Sequence, residues 1–160
     1  MNIAFDLQIA DGLSKQKFRE MKTQLPEWLR VCLQTTASEN HRENIEVSIR
    51  IVDESESAEL NQRYRNKKGP TNVLSFPVDL PESLNLPLLG DLVLCAPVVT
   101  QEAQEQGKTE LAHWAHMVIH GTLHLLGYDH QADEDARVME SCEISIMKKL
   151  GFANPYLNIN

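Results

Sequence analysis

Three histidines stand at positions 120, 124 and 130, within His120-Gly121-Thr122-Leu123-His124-Leu125-Leu126-Gly127-Tyr128-Asp129-His130. Residues four apart on a helix share a face, with Cβ atoms roughly 5–6 Å apart. His120 and His124 can therefore hold one metal ion between them. Gly127 follows three residues after His124, where a helix that must stop needs a residue tolerant of positive φ. The chain can then turn and return His130 as a third ligand. Three protein ligands leave a fourth position open, the arrangement of a catalytic zinc rather than a closed structural one. The bland alternative is a set of hydrogen-bonded core histidines. It suits a lone histidine better than three with a glycine turn between the second and third.

The flanking residues sharpen the reading. From Leu111 to Leu126 the non-histidine positions are almost all apolar, and a helix apolar nearly all round is buried. A buried imidazole without partners is costly, and a metal ion supplies one. The spacing also resembles the long zincin pattern His-Glu-x-x-His-x-x-Gly-x-x-His. It departs at residue 121, a glycine where a peptidase carries its general base. Glycine can take no proton, which argues for a different reaction on the same ligand frame.

Arg65 is the basic residue best suited to chemistry. A guanidinium matches phosphate bidentately and stays charged at any relevant pH. It belongs to a cluster, Arg63, Arg65, Lys67 and Lys68, with no acid between Asn61 and Asn72. No lysine or arginine follows from 69 to 107, nor from 109 to 136. An anionic substrate would be held by the metal and this cluster. The competing reading is a solvated helix end, where cations suit the macrodipole. Against 23 acidic residues the chain has 15 basic ones, a net charge of −8. That balance alone disfavours a general nucleic-acid binder, so the local distribution matters more than the sum.

Length and composition set the frame for these residues. The 160 residues, 42% of them apolar, fit one domain, 1–160, with a real core. No basic start with an apolar h-region suggests a signal peptide. No run approaches the roughly 18 apolar residues of a membrane span. Cys32, Cys95 and Cys142 are scattered and without CxxC spacing. They read as reduced thiols of a cytoplasmic protein.

The elements that must position the site follow from periodicity and punctuation. Strands are expected over 2–10, 45–52, 71–76 (stopped by Pro77) and 88–95. Helices are expected over 15–24, then from Pro26 to about Thr36 as a separate element. Others run from a cap at Asp53 or Ser55 to about Arg65, and from Ala96-Pro97 to about Gln106. The helix bearing the histidines starts at a Thr109 cap. The last starts at Asp133, with core positions Ala136, Met139, Cys142, Ile146 and Leu150. The tail from Phe152 is expected to trail over the surface, and 78–87 to form a loop. Interleaved elements followed by gathered helices give an α/β or α+β layout, a small, mostly parallel sheet of about four strands packed with about five helices.

Other polar residues are weaker candidates. His113 and His116 share the face of His120 and His124. His113 would lie roughly 10 Å from His120 along the axis, too far to share its ion. His116 could orient a ligand, although an ordinary hydrogen-bonded histidine is the better reading of both. Asp129 could accept from an imidazole or take a proton. His41 reads as exposed.

The residues at 120–130 match a known signature. His-Gly-Thr-Leu-His-Leu-Leu-Gly-Tyr-Asp-His resembles that of the YbeY family of bacterial endoribonucleases. Tyr64-Arg65 with Pro70-Thr71-Asn72-Val73-Leu74-Ser75-Phe76-Pro77 is similar to its second motif, and Leu89-Gly90-Asp91 to a third. The likeness spans about residues 45–151, and the first 40 residues share it only loosely. The resemblance implies a zincin-like α+β fold and a zinc-dependent, single-strand-specific endoribonuclease. It implies action in rRNA maturation, notably at the 3′ end of the small-subunit RNA, and in ribosome quality control. It implies metal ligands His120, His124 and His130, a functional Arg65, and the small ribosomal subunit and assembly factors as partners. The rival readings are a metallopeptidase with its base elsewhere and a non-enzymatic ribosome-binding protein with a structural zinc.

Overall fold

A computed structural model describes residues 2–36, 44–78 and 86–157. His41 and most of the loop expected at 78–87 lie outside the described residues. The fold is α+β: among the described residues, one four-stranded mixed sheet is packed with five α-helices. Strands β1 (Asn2–Ile9), β2 (Asn44–Val52) and β4 (Leu88–Cys95) run parallel, and β3 (Val73–Pro77) pairs antiparallel with β4 at the sheet's edge. The order across the sheet is β1-β2-β4-β3. An edge is where a strand tolerates a proline such as Pro77.

The register explains the two faces. Ile3, Phe5, Leu7 and Ile9 of β1 lie beside Ile45, Val47, Ile49 and Ile51 of β2. The row continues through Leu92 and Leu94 of β4 to Ser75 and Val73 of β3. This face meets helices α1 (Arg19–Thr35), α4 (Glu110–Leu125) and α5 (Asp133–Lys149) in the main core. The opposite face contributes Val52, Leu74, Val93 and Cys95 to a smaller cluster. Leu60 of helix α2 (Glu54–Arg65) and Val98 of helix α3 (Ala96–Glu105) cover it.

Caps agree with sequence. The Asp53 side chain accepts from Glu56 N–H, and Thr109 from Ala112 N–H, each satisfying an otherwise orphaned donor. Three expectations need correction. Residues 19–35 form one continuous helix with Pro26 inside it, after a 3₁₀ turn at 15–18. Pro26 falls on the exposed face, so the carbonyl it leaves unpaired can turn to water. The buried stripe Met21, Leu25, Trp28, Leu29, Cys32, Leu33 runs through unbroken. In α5 the buried face is Met139, Glu143, Ile146 and Met147. Ala136, Cys142 and Leu150 are only half-buried. The tail does not trail. Phe152 packs edge-on against Trp28 at 6.4 Å, and Pro155 is buried with its carbonyl accepting from Lys108 Nζ.

Candidate metal centre

Helix α4 lies across the sheet and presents His120 and His124 at its C-terminal end. Its close approach depends on Gly121. A Cβ there would sit 2.8 Å from Leu92 Cδ2, 3.1 Å from Val73 Cγ2 and 3.2 Å from Ser75 Oγ. A side chain at 121 would meet β3 and β4, so the carboxylate of the peptidase pattern has no room. Gly127, at φ +101°, ends the helix. Its N–H donates to the His124 carbonyl, while Tyr128 N–H donates to Leu123. These two bonds make a Schellman motif, and the turn carries His130 back towards the helix.

The three imidazoles meet. Ring centroids are 4.7 Å apart for His120 and His124, 4.9 Å for His124 and His130, and 5.7 Å for His120 and His130. One ring nitrogen from each lies within 4.8 Å of the others. His120 Nε2 and His124 Nε2 are 3.2 Å apart, close to the spacing of about 3.4 Å between ligand atoms around a tetrahedral zinc. The Nδ1 of His124 donates to the Tyr128 carbonyl at 3.0 Å. That bond leaves the Nε2 lone pair facing its neighbours. Burial, then the His120 and His130 imidazoles, lowers the pKa of His124 and so favours the neutral, ligating form. The donor set fits a divalent metal.

These imidazoles line a cleft of about 200 Å³ whose other wall is α2, the loop after it and β3. Arg65 and Lys67 stand on that wall, and no carboxylate lines the cleft among the described residues. Arg65 is exposed and makes no hydrogen bond or ion pair among the described residues. The wall is fixed from behind. Asn61 Nδ2 donates to the Gly69 carbonyl at 2.9 Å, and Ser57 Oγ bonds both the N–H and the carbonyl of Thr71. Arg63 is spent on Glu59 at 3.5 Å, and Lys68 is exposed and does not line the cleft.

The remaining candidates divide. Asp129 is exposed and accepts from the His130 N–H at 2.7 Å, a bond that shapes the turn. His113 is buried against Glu102, 2.9 Å away. His116 is buried against Glu143. Sequence reading missed Glu143, which also bonds His120 Nδ1 at 3.2 Å. A signal existed, since position 143 falls within the apolar stripe 139–143–146–147 of α5, where a carboxylate needs partners.

Comparison with known families decides what this cleft belongs to. A family model for endoribonuclease YbeY matches residues 11–151. This chain belongs to the YbeY endoribonuclease family. As a member it is a metal-dependent hydrolase of RNA phosphodiester bonds, an endoribonuclease of rRNA processing. The solution structure of TM1509 from Thermotoga maritima is similar, with a TM-score of 0.53 and 25% identity over 97% of this chain and 99% of that one. No helix among the described residues is long and apolar enough to cross a membrane.

Proposed function

We propose that residues 1–160 form one zinc-dependent endoribonuclease domain that cleaves single-stranded RNA. His120, His124 and His130 hold the ion, and Arg65 binds a phosphate at the scissile bond or next to it. The observation that carries this reading is the convergence of three imidazoles on a cleft with a guanidinium on its facing wall that is unpaired among the described residues.

Three neutral imidazoles are the donor set of a catalytic zinc with a position left open. Bound there, a divalent cation supplies a Lewis acid for a phosphoryl oxygen and acidifies nearby water. The chain's own residues do the rest. His124 keeps its proton on Nδ1, bonded to Tyr128, and offers Nε2 to the cleft. Arg65 offers a planar fork to phosphate oxygens and stabilises charge that develops on them. Lys67 adds a point charge. With no carboxylate lining the cleft among the described residues, a phosphodiester meets no like charge from them there.

Two features favour single strands. A cleft of about 200 Å³ takes the edge of a strand rather than a double helix. Tyr64, next to Arg65 in sequence, opens with Phe76 on a neighbouring groove rather than on the cleft itself and is 59% exposed, its ring braced edge-on by Phe76 at 5.2 Å. An exposed aromatic face is a stacking surface for an unpaired base. The rRNA substrate, on this reading, is the 3′ end of the small-subunit RNA. The partners are the small ribosomal subunit and its assembly factors, and the role extends to ribosome quality control. Three free cysteines suit the reducing cytoplasm where that work is done.

Metal analysis paired with a single-stranded RNA cleavage assay tests the reading. His120→Ala or His124→Ala should lose metal and cleavage together, while Arg65→Glu should lose cleavage and keep metal. Full ribonuclease activity in metal-free protein would overturn it.

A further inference from the structure

Glu143 is a fully buried carboxylate, at 0% exposure, in the apolar stripe of α5. Both of its oxygens are engaged. Oε1 accepts from His120 Nδ1 at 3.2 Å. Oε2 accepts from His116 Nε2 and from the Tyr156 hydroxyl, the latter at 2.9 Å. Tyr156 comes from the tail beyond α5. It is brought in by Phe152 on Trp28 and by Lys108 on the Pro155 carbonyl. Its ring also stands edge-on to His116, with centroids 5.3 Å apart. Burial and the Glu143 charge push the Tyr156 phenol up, so it stays a donor.

An imidazole has two nitrogens, and a neutral one carries a single proton. With His120 Nδ1–H committed to Glu143, Nε2 is the lone-pair atom, and it is the one that stands 3.2 Å from His124 Nε2. Without Glu143 the ring is free to move its proton to Nε2 or to turn about its bond to the chain, and either change removes a ligand. His116, His120 and Glu143 do not read as a second ion site. His116 Nε2 and Glu143 Oε2 are already in direct hydrogen-bond contact, and Tyr156 takes the remaining approach to that oxygen.

We propose that Glu143 and Tyr156 are positioning residues for the metal: Glu143 holds His120 with Nε2 bare towards the cleft, and the tail hydroxyl of Tyr156 holds Glu143. This rests on the reading of His120, His124 and His130 as metal ligands. Partners of this kind typically contribute roughly 10- to 100-fold in metal affinity. The test is the zinc dissociation constant of the full-length protein, measured by competition with a chromophoric chelator. It is paired with histidine ¹⁵N spectra of the metal-free protein, which report which nitrogen carries each proton. Tyr156→Phe keeps the ring and should weaken zinc about 10-fold. Glu143→Ala should weaken it about 100-fold and lose the Nδ1–H form of His120. Glu143→Gln, whose amide oxygen can still accept from Nδ1–H, should fall between. Should Glu143→Ala fail to fold, Tyr156→Phe and Glu143→Gln decide alone. Wild-type zinc affinity in both, with an unchanged His120 tautomer, overturns the inference. A wild-type protein that takes up no zinc overturns the metal reading beneath it.

Discussion

The hydroxyl of Ser75 donates to the carbonyl oxygen of Gly121 at 3.1 Å, joining the edge strand to the histidine-bearing helix one residue from His120. The bond forms only because α4 lies almost on the sheet, and glycine permits that approach. Gly121→Glu, which would recreate the zincin sequence, forces a side chain against Leu92, Val73 and Ser75. Overpacking of this kind costs typically 1–3 kcal/mol. The variant should lose at least that much stability in urea denaturation and gain no metal-dependent proteolysis of an unfolded protein substrate.

Gly127 holds φ at +101°, where a Cβ adds roughly 1–2 kcal/mol of strain. Nothing lies within 4 Å of a Cβ built there, so the backbone alone resists substitution. Gly127→Ala should lower the thermal midpoint and weaken metal binding through the displaced His130. Gly127→Asn should do less harm, since asparagine tolerates positive φ better. Differential scanning calorimetry with and without zinc separates the two effects.

Arg65 has no partner to lose among the described residues, so its replacement should leave stability within about 0.5 kcal/mol of wild type. Its effect should appear in RNA cleavage. If it neutralises one phosphate, Arg65→Ala should lower kcat/KM and reduce the slope of log affinity against log salt by about 1. An unchanged slope in RNA-binding titrations would remove Arg65 from the phosphate contact. Lys67→Ala should give a smaller loss of cleavage.

Glu102 ties three elements together, accepting from His113 of α4 and from Asn72 before β3. Burial alone would raise its carboxyl, but the hydrogen bonds from His113 and Asn72 outweigh that and hold it below its ordinary value of 4.5. A carboxyl whose folded pKa is depressed stabilises the fold fully above the unfolded value and ceases to do so as the pH falls below it. Glu102→Gln should therefore cost roughly 1–3 kcal/mol near neutrality. It should also flatten the decline in stability that wild type shows below about pH 4.5. Urea melts of both proteins across pH 3–7 check the sign.

Much of this was legible in the residues, for physical reasons. β2 alternates apolar and polar residues from Ile45 to Ile51, α4 is capped at Thr109 and stopped at Gly127, and histidine spacing survives the translation into a helix face. What escaped were features settled by tertiary packing. Pro26 looks like a helix start, yet an exposed proline costs a long amphipathic helix little enough that Arg19–Thr35 continues through it. The apolar stripe around Glu143 signals that the carboxylate needs partners but not which ones, because they lie at 116, 120 and 156 and meet it only after α5 docks on α4. The tail escapes for the same reason, since the half-buried seat of Phe152 and the buried one of Pro155 are built by Trp28 of α1 and by Lys108.

The cleft, lined by no carboxylate among the described residues, sits on a molecule with eight more acids than bases. Polyanions are therefore turned away over most of its surface and welcomed at one opening. On the proposed function, RNA engages only where a strand can reach inside that opening, so accessibility of the strand, more than base sequence, should decide where it is cut.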